Sequence, residues 1–73
     1  MAKQYIIQLE HYSPGIGVRT CTLARDGRPY LATNSALTFT NRAEALKRAR
    51  FEKHNYAFAN VFVVGLRGAY YKA

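Results

Sequence analysis

Asn41-Arg42-Ala43-Glu44-Ala45-Leu46-Lys47-Arg48-Ala49-Arg50-Phe51-Glu52-Lys53 decides the fold, because it carries a helical period while the sequence on either side carries a strand period. At 100° per residue, Ala45, Leu46 and Ala49 gather into a narrow apolar stripe that the aliphatic stem of Lys53 extends. Small alanine side chains there suit close approach to a sheet. Thr40 or Asn41 is placed to cap the helix, with Glu44 three residues after Asn41 as in a capping box, and the helix is expected to end at about Lys53. The same rotation puts Phe51 on the far side with Lys47, Glu44 and Arg48. Glu44–Arg48 and Arg48–Glu52 are i,i+4 pairs, which reads that side as solvated. Either Phe51 is exposed for contact, or the helix ends early and lets it fold back.

Before the helix, residues 4–12 alternate, with Tyr5, Ile7 and Leu9 on one side and Gln8 and Glu10 on the other, the period of a half-buried strand that Ile6 only mildly disturbs. Ser13-Pro14-Gly15-Ile16-Gly17 is a loop, and residues 18–25 resume as a second strand paired to the first as a hairpin. Asp26-Gly27 reads as a two-residue turn with positive φ at both positions. The third strand, Arg28-Pro29-Tyr30-Leu31-Ala32, is expected at an edge because Pro29 has no N–H for a central ladder. Residues 33–40 connect to the helix. Beyond it, Asn60-Val61-Phe62-Val63-Val64-Gly65-Leu66 looks like a buried central strand, and Tyr70-Tyr71-Lys72 either returns as a short edge strand or trails off. The expected class is α+β: one domain over residues 1–73, an antiparallel sheet of three to five strands with a single helix on one face, in β-β-β-α-β order.

The 73 residues leave room for one modest core. Their aromatic content of 14% separates them from chains that stay disordered for want of burial. A net charge of +7, from 11 Lys and Arg against Glu10, Asp26, Glu44 and Glu52, favours a negative partner without identifying it. The lone Cys21 cannot close an intramolecular disulfide, and the opening residues are too polar for a signal peptide, so a cytoplasmic location is expected. No apolar run approaches the length needed to span a bilayer, and no membrane partner is expected.

Catalytic and cofactor chemistry finds no foothold. His11, His54, Cys21 and four scattered carboxylates form no ligand motif. His11 and Glu10 fall on opposite faces of a strand, His54 suits a helix C-terminus, and Cys21 inside a strand reads as a small buried side chain. Gly15-Ile16-Gly17 lacks the remaining glycines and the Gly-Lys-Ser/Thr of a phosphate loop. Neither an enzyme nor a cofactor protein is expected.

Binding chemistry is better represented. Arg42, Lys47, Arg48, Arg50 and Lys53 share the helix with Phe51 and are balanced there by only Glu44 and Glu52. Such a face is either solvated or a track for phosphates. Arg19, Arg25, Arg28 and Arg67 form a second cluster if the strand ends converge. Tyr12, Tyr30, Tyr70 and Tyr71 stand near loops, edges or the end of the chain; with Arg they are typical of protein interfaces, though tyrosines also rim small cores. Tyr56-Ala57-Phe58 echoes the aromatic strand signature of the RNA-recognition motif, but His54 and Asn55 replace its basic residue and glycine, Ala59 replaces its valine, and a second helix is missing.

The order of elements resembles that of many small proteins encoded by bacteriophages and mobile elements, anti-CRISPR inhibitors among them. The resemblance is carried by Tyr5-Ile6-Ile7, by Phe39-Thr40-Asn41-Arg42-Ala43-Glu44-Ala45 at the helix start, and by Asn60-Val61-Phe62-Val63-Val64. It implies a non-enzymatic inhibitor that docks on a host protein or nucleoprotein complex handling nucleic acid. Being basic, it would cover an acidic patch of that complex or touch the nucleic acid itself. The contacts expected are Arg42, Lys47, Arg48, Arg50, Phe51 and Lys53 on the helix, with Arg28, Tyr30, Arg67, Tyr70 and Tyr71 at the sheet edges. Direct nucleic-acid binding through the basic helix is the second reading. A structural protein pairing through a sheet edge, as a homodimer at the Pro29 edge or the Tyr70-Tyr71 end, is the third.

Overall fold

The alternation at the start of the chain becomes the central strand of the sheet, β1 (Tyr5–Ser13), whose Tyr5, Ile7 and Leu9 are buried. The computed structural model describes residues 4–56, 59–65 and 68–73. On one side of β1 lie β2 (Gly17–Leu23) and β3 (Pro29–Tyr30), and on the other β4 (Asn60–Gly65) and β5 (Tyr70–Lys72). All pairings are antiparallel, in the order β3-β2-β1-β4-β5. The third strand is an edge strand, as Pro29 requires, but it is only two residues long. The apolar run in β4 is interior and not central. Its Val61 and Val63 face the helix while Phe62 and Val64 pair beside Gln8 and Ile6 on the other side, so both faces are apolar without the strand being the middle one.

The first hairpin closes at the Ser13↔Gly17 pair. Ile16 N–H donates to the Ser13 carbonyl (3.0 Å), and Gly15 takes φ 83° after Pro14, the arrangement of a type II turn. The second turn corrects the sequence reading. Gly27 has φ 85°, but no non-glycine residue described has positive φ, so Asp26 does not. Gly27 N–H donates to the Ala24 carbonyl and Ala24 N–H to the Arg28 carbonyl, which gives the chain a three-residue loop ending in a glycine bulge. Asp26 side-chain bonding explains the preference: Oδ1 accepts from the Arg28 N–H (2.9 Å) and Oδ2 from the Tyr30 hydroxyl.

That carboxylate–phenol bond has a pH signature. Asp26 is held below its usual 3.8, first by the Tyr30 hydroxyl and then by the Arg28 N–H. Tyr30 is held above its usual 10.0 by Asp26. A depressed carboxyl contributes stability above its unfolded pKa and loses it as pH falls through the folded value; a raised phenol contributes below its unfolded pKa and loses it as pH rises through the folded one. Tyr30→Phe is therefore expected to lower Tm slightly at neutral pH, with the difference shrinking in acid and in strong alkali. Thermal melts of both proteins across that range check this, and a difference independent of pH contradicts it.

Residues 33–40 do more than connect. β1 and β2 part below the Gln8↔Thr22 pair, and the connection fills the gap. Phe39 bridges Tyr5 through two backbone bonds of 2.8 and 2.9 Å, and Ala36 bridges Ala24. The buried backbone at the splayed ends thus keeps its partners.

α1 (Arg42–Asn55) starts at Asn41, whose extended backbone and side-chain oxygen cap the N–H groups of Ala43 (2.8 Å) and Glu44 (3.3 Å). Glu44 does not return a capping-box bond, and the helix runs two residues past Lys53. Ala45 and Ala49 are fully buried against Ile7, Leu9, Val61 and Val63 of one sheet face, with Leu37, Phe39, Leu46, Tyr56 and Tyr71 closing the margins.

Candidate macromolecular interface

Register assigns the surfaces. Against α1 the sheet turns Tyr5, Ile7, Leu9, Leu23, Val61 and Val63. On its other side Ile6, Gln8, Glu10 and Tyr12 share a face with Val18, Thr20, Thr22, Tyr30, Asn60, Phe62, Val64, Tyr70 and Lys72. No described element packs on that second face.

The helix cations are not equivalent. The Arg42 guanidinium lies 4.9 Å from the ring centroid of Tyr71, which packs against the core on the helix side while Tyr70, on the other face, is 62% exposed. Lys53 Nζ donates to the Ala73 carbonyl at 2.8 Å, tying the helix to the strand beside it. Arg48 Nε donates to Glu52 Oε1 at 2.9 Å. Lys47 and Arg50 are exposed and have no partner among the described residues. One expected basic track is thus reduced to two free cations, with His54 near them on the outer face.

Glu52 overturns the reading of the Arg48–Glu52 pair as solvated. It is 2% exposed, the one buried charged residue among those described. Glu52 lies three residues after Ala49 and seven after Ala45, which places it on their face of the helix. Arg48 flanks that face and reaches over it: its guanidinium meets Glu52, sits 5.8 Å from the Phe51 ring centroid, and comes within 3.6 Å of where a Cβ on Gly27 would stand. It therefore braces the helix against the β2–β3 turn.

Phe51 is 59% exposed and remains within the helix, which decides between the two sequence alternatives in favour of exposure. Arg28 and Tyr30 come together with Asp26 at the turn, and Arg25 lies on the same turn. Arg19 pairs opposite His11 toward the other hairpin, about 20 Å away at the rise of a strand, so it does not join Arg25 and Arg28. Arg67 lies outside the described residues, as do Ala57 and Phe58; Tyr56 caps the helix C-terminus rather than standing on a strand. Cys21 is half-buried and not buried.

Comparison with family models, curated proteins and solved structures finds no match for this chain. Function rests on its own surfaces.

Two depressions stand out among the described residues. Leu9, His11, Cys21, Pro29, Tyr56 and Ala59 line an apolar one of about 140 Å³, where the helix stops short of the hairpin; small-molecule sites occupy about 300 Å³ or more. The other, about 400 Å³ and open to solvent, runs between the β2–β3 turn and the connection, along Arg25, Asp26, Tyr30, Thr33 and Ser35. Among the described residues no group of His, Cys, Asp and Glu is placed to hold a metal ion, and no helix is long and apolar enough to cross a membrane. The open sheet face, with Phe62 edge-on to Tyr70 at 6.2 Å, is the surface that sequence reading missed. The parity of Gln8, Glu10 and Tyr12 in β1 was the available signal.

Proposed function

We propose that the protein is a non-enzymatic binding module that docks on an acidic patch of a protein partner through the outer face of α1, with Phe51 as its anchor. The observation that carries this reading is an exposed phenylalanine held in a helix among outward cations. An aromatic ring bordered by basic groups is what desolvates at the centre of an interface, while Lys47 and Arg50 steer the approach. An inhibitor of phage type, docked on a host complex that handles nucleic acid, would work in this way; that identity is supported by the sequence resemblance alone.

Direct nucleic-acid binding through the helix has less support, because Arg42, Arg48 and Lys53 are engaged within the molecule. Two free cations release few counterions, giving a log–log salt slope of about −1.4 on a single strand, whereas tight phosphate binders make about 6–10 such contacts. Fluorescence anisotropy on a mixed-sequence single-stranded oligonucleotide, repeated at rising salt, tests the choice. Weak binding with that shallow slope is expected. A slope of about −4 or steeper would transfer the function to nucleic acid.

A further inference from the structure

We propose that two copies of this chain associate face to face through the side of the sheet on which no described element packs, Glu10 of each copy set against Lys72 of the other. That side exposes the large side chains Tyr12 (69%), Val18 (64%) and Tyr70 (62%), with Phe62 edge-on beside Tyr70, among the exposed polar residues Thr20, Asn60 and Lys72. The strand edges are poor alternatives: β3 offers two residues, one of them Pro29, and β5 offers three.

Charge selects the occupant. The chain carries +7, yet among strand residues on this side the charges are Glu10 and Lys72, one of each sign. Two such molecules repel least when these neutral sides meet. A single-stranded nucleic acid laid over the same aromatics would need cations flanking each base, and this side supplies one, beside a carboxylate.

Geometry then fixes the pairing. Lys72 is paired to Phe62, which is paired to Gln8, so Glu10 and Lys72 stand two strands and two residues apart, about 12 Å by strand geometry. Neither has an ion-pair partner within its own chain among the described residues. A two-fold axis lying between the two sheets and crossing that line at right angles sets each Glu10 on the other copy's Lys72, the reciprocal contact that an isologous interface requires. The long strands β1, β2 and β4, with a rise of about 20 Å, and the short β3 and β5, all about 4.8 Å apart, give a footprint of about 350 Å² per copy. Doubled, this stays below the roughly 1,200 Å² at which standard interfaces begin, so the dimer is a weak one that forms only at high protein concentration.

Analytical ultracentrifugation of the purified protein from about 50 μM to about 2 mM is the test, with a dimer constant of roughly hundreds of micromolar expected for so small an interface. Glu10→Lys and Lys72→Glu should each weaken it at least tenfold by placing like charges together, and the double exchange should restore it to within about threefold. Should Glu10→Lys not fold by circular dichroism, Thr20→Lys at the exposed neighbouring position carries the same expectation. A monomer throughout the range overturns the proposal. So does a dimer indifferent to the single reversals, or a double exchange as weak as the singles.

Discussion

Replacing Arg48 with alanine is expected to destabilise the fold by about 2–3 kcal/mol, more than any other single change on the helix surface, and to lower Tm by 10 °C or more. The cause is what it leaves behind. Glu52 has 3% of its side chain exposed and takes its hydrogen bond from Arg48 Nε; without that donor a carboxylate stays desolvated and unpaired. A fully buried pair would cost more, but Arg48 keeps about a third of its side chain in water, which screens the attraction. The bond itself is not the whole effect, since Arg48 also reaches toward Gly27 and the β2–β3 turn. Arg48→Met combined with Glu52→Leu removes the stranded charge and is expected to recover most of the stability. Thermal and urea melts of the single and double variants measure this. A Tm for Arg48→Ala within about 2 °C of the parent would mean that Glu52 finds water or another donor, and that the brace does not exist.

The features legible in the sequence are those set by local period and local bonding. Tyr5, Ile7 and Leu9 alternate and are buried, Asn41 caps, Ala45 and Ala49 form the seam, and Pro29 stands at an edge. What escaped depends on elements distant in sequence. Arg42 and Lys53 look like free cations until β5 brings Tyr71 and Ala73 beside them, and that strand was ambiguous from its few residues. Phe39 and Ala36 look like loop until β1 and β2 part and leave backbone to be paired. Glu52 is different. Its face could be computed from Ala45 and Ala49, but an i,i+4 partner suggested a surface pair, and only the reach of Arg48 explains how a carboxylate is tolerated there. The turn at Asp26 failed because Asp-Gly also fits a longer loop in which glycine alone takes positive φ. For the candidate site, Phe51 was legible as an outward residue, whereas the division of the cations into engaged and free was not.

The proposed function depends most on Phe51. Its ring is 59% exposed, and the contact described for it is the Arg48 guanidinium at 5.8 Å, a cation–π interaction worth about 0.5–1 kcal/mol at the surface. Removing the ring should therefore cost the fold little, a Tm change of a few degrees and about 8 °C at most, whereas loss of a central aromatic anchor costs an interface about 2 kcal/mol or more, roughly thirtyfold in Kd. The direct measurement is a paired capture from cell lysate, with and without nuclease treatment, using tagged wild-type and Phe51→Ala protein, followed by titration of whatever the wild type retains. A protein held by the wild type and bound at least thirtyfold more weakly by Phe51→Ala, with the two melting within that range of each other, is the expected result. Equal retention by the two proteins, or material that disappears with nuclease treatment, would contradict docking through the outer face of α1.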